Sequence, residues 1–295
     1  VKSESKAFQI DNIEISRPFE INFNKNDVID DGFKKAYSEL ISLIVKSSDQ
    51  KKINKIKLNE IKGMIESFTI REEKFIDEIY YVSLGVIFSK KKIFNYLENK
   101  NIFPSIPKKK TFLFIPIIID ENEKDLLIFY NNPIFNEWNK SSKKTYLLNY
   151  ILPTEDLEEL NFLKSKLDNI EKYDFKEITK KYDLKDSIIA LIFKNQKELR
   201  VLSKINLNEN TIIRNQTYEN INFENQEKLD QLIENLKLIY EDYWKKENLI
   251  NTSIKLTLNI KANNLENKKI VAFEKILNET DLIYDFFISK FDKNH

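Results

Sequence analysis

The chain has 295 residues, 41% hydrophobic and 32% charged, which is long enough for two domains with a buried core in each. Its 48 basic and 47 acidic residues leave a net charge of +1, so no global field draws nucleic acid or an anionic membrane to it. Cysteine is absent and the one histidine is the final residue, His295, which removes disulfides, thiolate metal sites, cysteine nucleophiles and any internal imidazole.

Phe8, Ile10, Ile13 and Ile15 predict an opening strand with a phase slip near Asn12, the mark of a bulge. Asn26 and Asp27 introduce a helix with Phe33, Ala36, Tyr37, Leu40, Ile41 and Ile44 on one face. Leu58 to Phe68 predicts a second, shorter helix with Gly63 as its weak point, and Phe68 to Phe75 a strand turning at Asp77 and Glu78. Tyr80, Val82, Leu84, Val86 and Phe88 then alternate with Ile79, Tyr81, Ser83, Gly85 and Ile87, a strand central in its sheet or covered on both faces. Ser89 stands where an N-cap belongs, ahead of a short amphipathic helix through Ile93, Phe94 and Leu97. Pro104, Pro107 and Lys108 to Lys110 predict a stiff, exposed connector.

Beyond it, Phe112 to Ile119 is an apolar run of buried-strand length, far too short to span a membrane. Leu126 to Tyr130 predicts its hairpin partner, followed by a helical fragment around Trp138 and a strand at Tyr146 to Leu152. Helices follow through Leu157, Leu160 and Leu163 and, from an Asp174/Glu177 capping box, through Ile178 and Tyr182. Ser187 to Phe193, Leu199 to Leu207 and Thr211 to Ile221 predict strands, and Glu224 to Lys246 the longest helix. In the tail, Ile250, Ile254, Leu256, Leu258 and Ile260 alternate with polar residues as the clearest strand pattern in the chain. A helix through Leu265, Ala272, Phe273, Ile276 and Leu277 and a strand from Leu282 to Ile288 complete a β-α-β unit too small to stand alone. The predicted class is α/β with α+β character: two α/β sandwich-type domains with mixed or antiparallel sheets, over 1–103 and 111–247, and a C-terminal β-α-β unit over 248–295.

The segment SFTIREEKFIDEIYYVSLGVIFSKKKIFNYLENKNIFPSIPKKKTFLFIPIII resembles the heart of a bacterial family known only as domain of unknown function 2066. The residues that carry the likeness are Phe88, Phe94 with Leu97, Pro104 and Pro107, and Phe112 to Pro116. NNPIFNEWNK and ILPTEDLEELNFL resemble two further segments, so the likeness runs from about Phe8 to Trp244. It implies a periplasmic or envelope location and a cleavable export signal ahead of Val1 in the precursor. It brings no activity, cofactor or catalytic residue.

Candidate chemistry is sparse. Glu72–Glu73, Asp120–Glu123 and Glu155–Glu159 read either as paired carboxylates for glycoside hydrolysis or as turn and helix-start residues. Lys90 to Lys92 and the run Lys108, Lys109, Lys110 read as contacts for phosphate, lipid headgroups or an acidic partner, or as solvated charge. Tyr130, Phe135 and Trp138 read as an exposed aromatic patch for a peptide or sugar, or as cover for the end of a sheet. No catalytic residue, metal ligand or cofactor is assigned. The expected function is a non-enzymatic interaction or assembly module that binds an envelope protein and no nucleic acid, with no transmembrane segment in the chain. The alternatives are a carboxylate-dependent cell-wall glycan hydrolase and a cytoplasmic nucleic-acid-associated factor.

Overall fold

The computed structural model describes residues 8–140, 144–196, 198–219, 221–252, 254, 256–261, 266–280, 283 and 286–289. The chain divides into two compact units, 1–107 with 244–295, and 108–243.

In the first unit the order is β1 (Gln9–Pro18), α1 (Lys25–Ile44), α2 (Ser47–Gln50), α3 (Leu58–Met64), β2 (Ile65–Ile76), β3 (Ile79–Phe88) and α4 (Lys90–Glu98). The three strands form an antiparallel sheet in the order β1-β3-β2, so the strand with apolar residues on both faces is the central one. The phase slip in β1 is a register shift between Ile10 and Ile13, with Asn12 at φ 58°. Asn24 caps α1 by accepting from the N–H of Asn26, and the stripe from Phe33 to Ile44 packs over β1 and β3. Gly32 makes that approach possible, because a Cβ there would lie 2.4 Å from Leu84 Cδ1. The helix expected to run from Leu58 to Phe68 stops at Met64, and the chain passes directly into β2. The residues from Ile65 on include β-branched Ile65, Thr69 and Ile70 and aromatic Phe68 and find β3 as a ladder partner, which outweighs a marginal second helical turn.

The connector departs from expectation. Pro104 and Ser105 are buried rather than exposed, and their backbone is engaged by neighbouring segments. Ser105 N–H donates to Ile44 O at 2.7 Å, Ile106 N–H to Asn248 O at 3.0 Å, and Ile250 N–H to Pro104 O at 2.8 Å. These bonds hold the stretch against the end of α1.

The second unit contains β4 (Lys110–Asp120), β5 (Asp125–Leu127), α5 (Pro133–Glu137), β6 (Leu148–Ile151), α6 (Leu157–Ser165), a short 3₁₀ helix (Leu167–Lys172), α7 (Lys176–Lys180), β7 (Ser187–Lys194), β8 (Glu198–Leu207) and β9 (Asn210–Glu219). Its sheet is mixed, in the order β5-β4-β7-β8-β9, with β6 also beside β4. Strands β6 and β7 run parallel to β4, whereas β8 is antiparallel to both of its neighbours, β7 and β9. Both faces are covered, as the unbroken apolar runs of β4 and β7 require. One face, through Leu113, Ile115, Ile117, Ile189 and Leu191, packs with Leu163, Ile170, Phe175 and Ile178. On the other, Phe114 stacks on Trp138 with ring centroids 3.8 Å apart, and the Tyr240 hydroxyl meets that of Ser203 at 2.8 Å.

Helix α8 (Gln226–Glu247) carries Leu229, Leu232, Ile233, Leu236, Tyr240 and Trp244 as its buried stripe, and the boundary between the units falls within it, at Trp244. α9 (Asn267–Glu279) follows. The clearest strand pattern in the sequence is not a strand among the described residues of 250–261. Leu256 is 92% exposed, and Ile254, Leu258 and Ile260 are exposed with it. Alternation marks which residues would share a face, but a strand exists only where a neighbour supplies hydrogen bonds, and no described strand pairs here. Of the expected β-α-β unit the helix is the one element formed among the described residues; Leu265, Leu282, Tyr284 and Asp285 lie outside them. No helix among them is long and apolar enough to cross a membrane.

Several tyrosines are buried deeply enough to stay protonated far into alkali. Burial pushes Tyr218 up to about 12 and raises Tyr37, Tyr150 and Tyr240 strongly in the same direction. A raised folded-state value stabilises the fold below the ordinary tyrosine value and loses that contribution as pH climbs through the raised one. A titration of tyrosinate absorbance should therefore show one fraction ionising near pH 10 and a second only together with unfolding, above about pH 12. A single smooth transition of all tyrosines while the fold persists would show these hydroxyls to be accessible.

Candidate functional site

The residues singled out in the sequence do not form one site. Trp138 is fully buried, so the exposed aromatic patch is not what the structure holds. Its ring is taken up by Phe114 and by Tyr150, edge-on at 5.2 Å. Phe135 is half-buried, edge-on to Phe129 at 6.0 Å, and only Tyr130 is open to solvent. Sheet-end cover is the better description of the first two. Lys108 and Lys109 are exposed, whereas Lys110 opens β4 and pairs with the buried Asp186 at 2.5 Å. Lys90 and Lys92 donate to the backbone oxygens of Thr280 and Gly63.

The acidic clusters are likewise engaged in local structure. Asp120 accepts from the N–H groups of Asn122 and Glu123, and the bond from Glu123 leads the causes that hold its carboxyl below the usual range. Asp156 caps α6 by accepting from Glu158 and Glu159 N–H, and Glu159 is paired with Lys181. Glu73 accepts from Lys25 Nζ at 2.7 Å and from the Tyr80 hydroxyl at 3.0 Å, which lowers its carboxyl, the lysine contributing most. Among the described residues no group of three or more His, Asp or Glu is placed to hold a metal ion.

What the first unit does present is an open edge. β2 is twelve residues long, pairs only with β3 among the described residues, and is exposed from Glu66 to Ile76. The reason is geometric: α1 covers β1 and β3, and β2 overhangs it. Register puts Phe68, Ile70 and Phe75 on the helix side of the sheet with Val86, Leu84 and Tyr80, yet Phe75 remains 57% exposed. Phe68 rests edge-on against Phe33 and Phe75 against Phe19, each with centroids 5.0 Å apart. Ile76 adds an exposed apolar residue opposite Ile79.

The other face of this sheet carries an ion pair over the middle of β3. Arg71 reaches across the central strand to Asp11 on β1 at 2.6 Å, and Gln9 Nε2 donates to the same carboxylate. The pair lies directly over Gly85: a Cβ there would stand 2.8 Å from Asp11 Oδ1 and 3.1 Å from Arg71 Nε. Thus the central strand's glycine is a seat for an ion pair that ties both edges together across it.

A free row of backbone N–H and C=O groups is a template for another strand, which proteins commonly blunt with bulges, charge or proline. β2 has register shifts between Ile65 and Ser67 and between Ile70 and Glu72, and a charged stretch from Arg71 to Lys74, but no proline. The sequence pattern places a strand over Phe68 to Phe75, missing the start of β2 at Ile65 and its exposure, because a strand rich in both aromatic and charged residues does not say which neighbour is absent. No protein-family model matches the chain and no curated protein matches it, so no residue takes a role from a relative.

Proposed function

We propose that the protein is a non-enzymatic interaction or assembly module of the bacterial envelope, and that its docking element is β2. The observation that carries this reading is the outer edge of β2, which no described strand pairs, twelve residues long with Phe68, Ile70, Phe75 and Ile76 exposed along it. An extended segment of a partner protein added along this edge would gain main-chain hydrogen bonds for affinity. The apolar side chains would give it register, at roughly 1 kcal/mol for each half-exposed one that becomes covered. The mixed charges of Arg71, Glu72, Glu73 and Lys74 favour a partner strand of mixed charge over a uniformly acidic or basic one.

The test is a photo-reactive amino acid at Thr69, introduced in the native cell, with the cross-linked segment identified and then made as a peptide. The peptide should bind and slow hydrogen exchange at residues 65–76 while the exchange of the second unit is unchanged. Protection falling elsewhere, or cross-links only between copies of this chain, would refute the assignment. A partner confined to the cytosol would refute the envelope location and leave the edge intact.

A further inference from the structure

The second unit holds a cavity of about 320 Å³ whose lining includes Asn139, Lys140, Lys144, Tyr146, Tyr150 and Lys237. Three of these are cations, but they are not equivalent. Lys140 pairs with Glu137 at 2.5 Å and Lys144 with Glu234 at 2.7 Å, so their charges are compensated. Lys237 projects from α8 and is 7% exposed. Its ammonium donates to the backbone oxygen of Trp138 at 2.6 Å and stands 5.3 Å from the ring centroids of both Trp138 and Tyr146. No carboxylate among the described residues is within ion-pairing distance of it. A lysine ammonium has three N–H donors, and one carbonyl and two aromatic faces leave it with hydrogen-bonding capacity and uncompensated charge.

Tyr150 adds a second donor. Tyr150 is among the residues that line the cavity, and its buried hydroxyl has no hydrogen-bond partner. Burial, reinforced by the Glu241 carboxylate that accepts from Leu148 N–H, keeps the phenol protonated. An unsatisfied buried donor is costly, typically 1–3 kcal/mol, so its persistence beside a cavity points to an acceptor that arrives from outside. Burial also holds the Lys237 ammonium below its ordinary value, so the charge lacks the water that would otherwise stabilise it.

We infer that this cavity binds the oxyanion head of a small metabolite, a phosphate or a carboxylate, with Lys237 and Tyr150 as its donors. An oxyanion supplies what both groups lack: acceptor lone pairs for the ammonium and the phenol, and a counter-charge for the former. Lys140 and Lys144 contribute to attraction at the mouth rather than to the contact, because each is already paired. A volume of about 320 Å³ admits a small ligand.

Inorganic phosphate and acetate serve as the two probes, titrated into the intact chain and followed by calorimetry and by the ammonium resonance of Lys237. Saturable binding of one or both in the millimolar range is expected, and the probe bound more tightly names the head group. Lys237→Gln should weaken binding about tenfold or more, and Lys144→Gln less than threefold. Because Lys237→Gln disturbs a buried site, Tyr150→Phe provides the second variant: it keeps the ring and removes only the hydroxyl. Weakening by at least about threefold with unchanged thermal stability is expected for it. Absence of saturable binding of either probe, or binding that survives both Lys237→Gln and Tyr150→Phe unchanged, would overturn the assignment.

Discussion

Lys245→Met should cost the first unit about 3 kcal/mol, one of the two largest effects expected of a single substitution here. Lys245 is 1% exposed, and its ammonium donates to the carbonyl oxygens of Ser42 and Val45, the latter at 3.2 Å. These oxygens lie at the C-terminal end of α1, where helix carbonyls lack intrahelical partners and the helix dipole is negative. Ser105 closes the same end through its N–H and hydroxyl, both directed at Ile44 O. Methionine keeps the length of the stem but leaves the carbonyls buried and unserved. Hydrogen exchange should accelerate first in the last turn of α1. Ser105→Ala, which retains the backbone N–H, should cost about 0.5–1 kcal/mol. Equal losses for the two variants would mean that the lysine acts through packing alone.

The second large effect belongs to Asn132 in the other unit. Its fully buried side chain makes four hydrogen bonds and has no unused capacity. The amide donates to Pro116 O at 3.0 Å and Leu127 O at 3.2 Å, while its oxygen accepts from Ile134 and Phe135 N–H at 2.9 and 3.2 Å. It thereby caps α5 and fixes that helix to β4 and to the end of β5. Asn132→Ala should cost about 3 kcal/mol, the sum of a lost cap and orphaned backbone groups. Asn132→Asp preserves the capping oxygen and loses both donors, so denaturant unfolding should place it worse than the parent. If alanine and aspartate variants unfold together with the parent, the network is not what holds α5.

Much of the fold was legible because the residues that fix it are apolar and periodic. The stripe of α1, the alternation of β3 and the unbroken runs of β4 and β7 each specify one element and one buried side. Asn132 itself stands before Pro133, an N-cap followed by proline at N1, and that pair of residues predicts a helix start. What escaped the sequence was polar. Lys237, Glu241 and Lys245 follow at i, i+4 and i+8 on α8, a spacing that ordinarily marks solvent-facing ion pairs. All three are buried. Nothing in a single sequence distinguishes a lysine that caps a carbonyl from one that meets water, since both keep the same helical register. The exposed aromatic patch gave way for a related reason: Trp138 is placed by Phe114 and Tyr240, remote in sequence. Conversely the alternation of Ile254 to Ile260 reads strongly and lacks a described partner.

Both two-residue hairpins turn without glycine. Asp77 and Glu78 join β2 to β3 with φ of 50° and 59°, and Asn208 and Glu209 join β8 to β9 with φ of 49° and 68°. None of the chain's glycines has a positive φ. A side chain in that region costs about 1–2 kcal/mol where glycine would cost little, and asparagine softens but does not remove the penalty. The chain thus keeps a reserve of stability in its corners, where substitutions disturb no packing and need only one residue at a time. A lineage that lost ground through changes in either core could recover it at these turns, which makes the cores freer to vary than their density alone would permit.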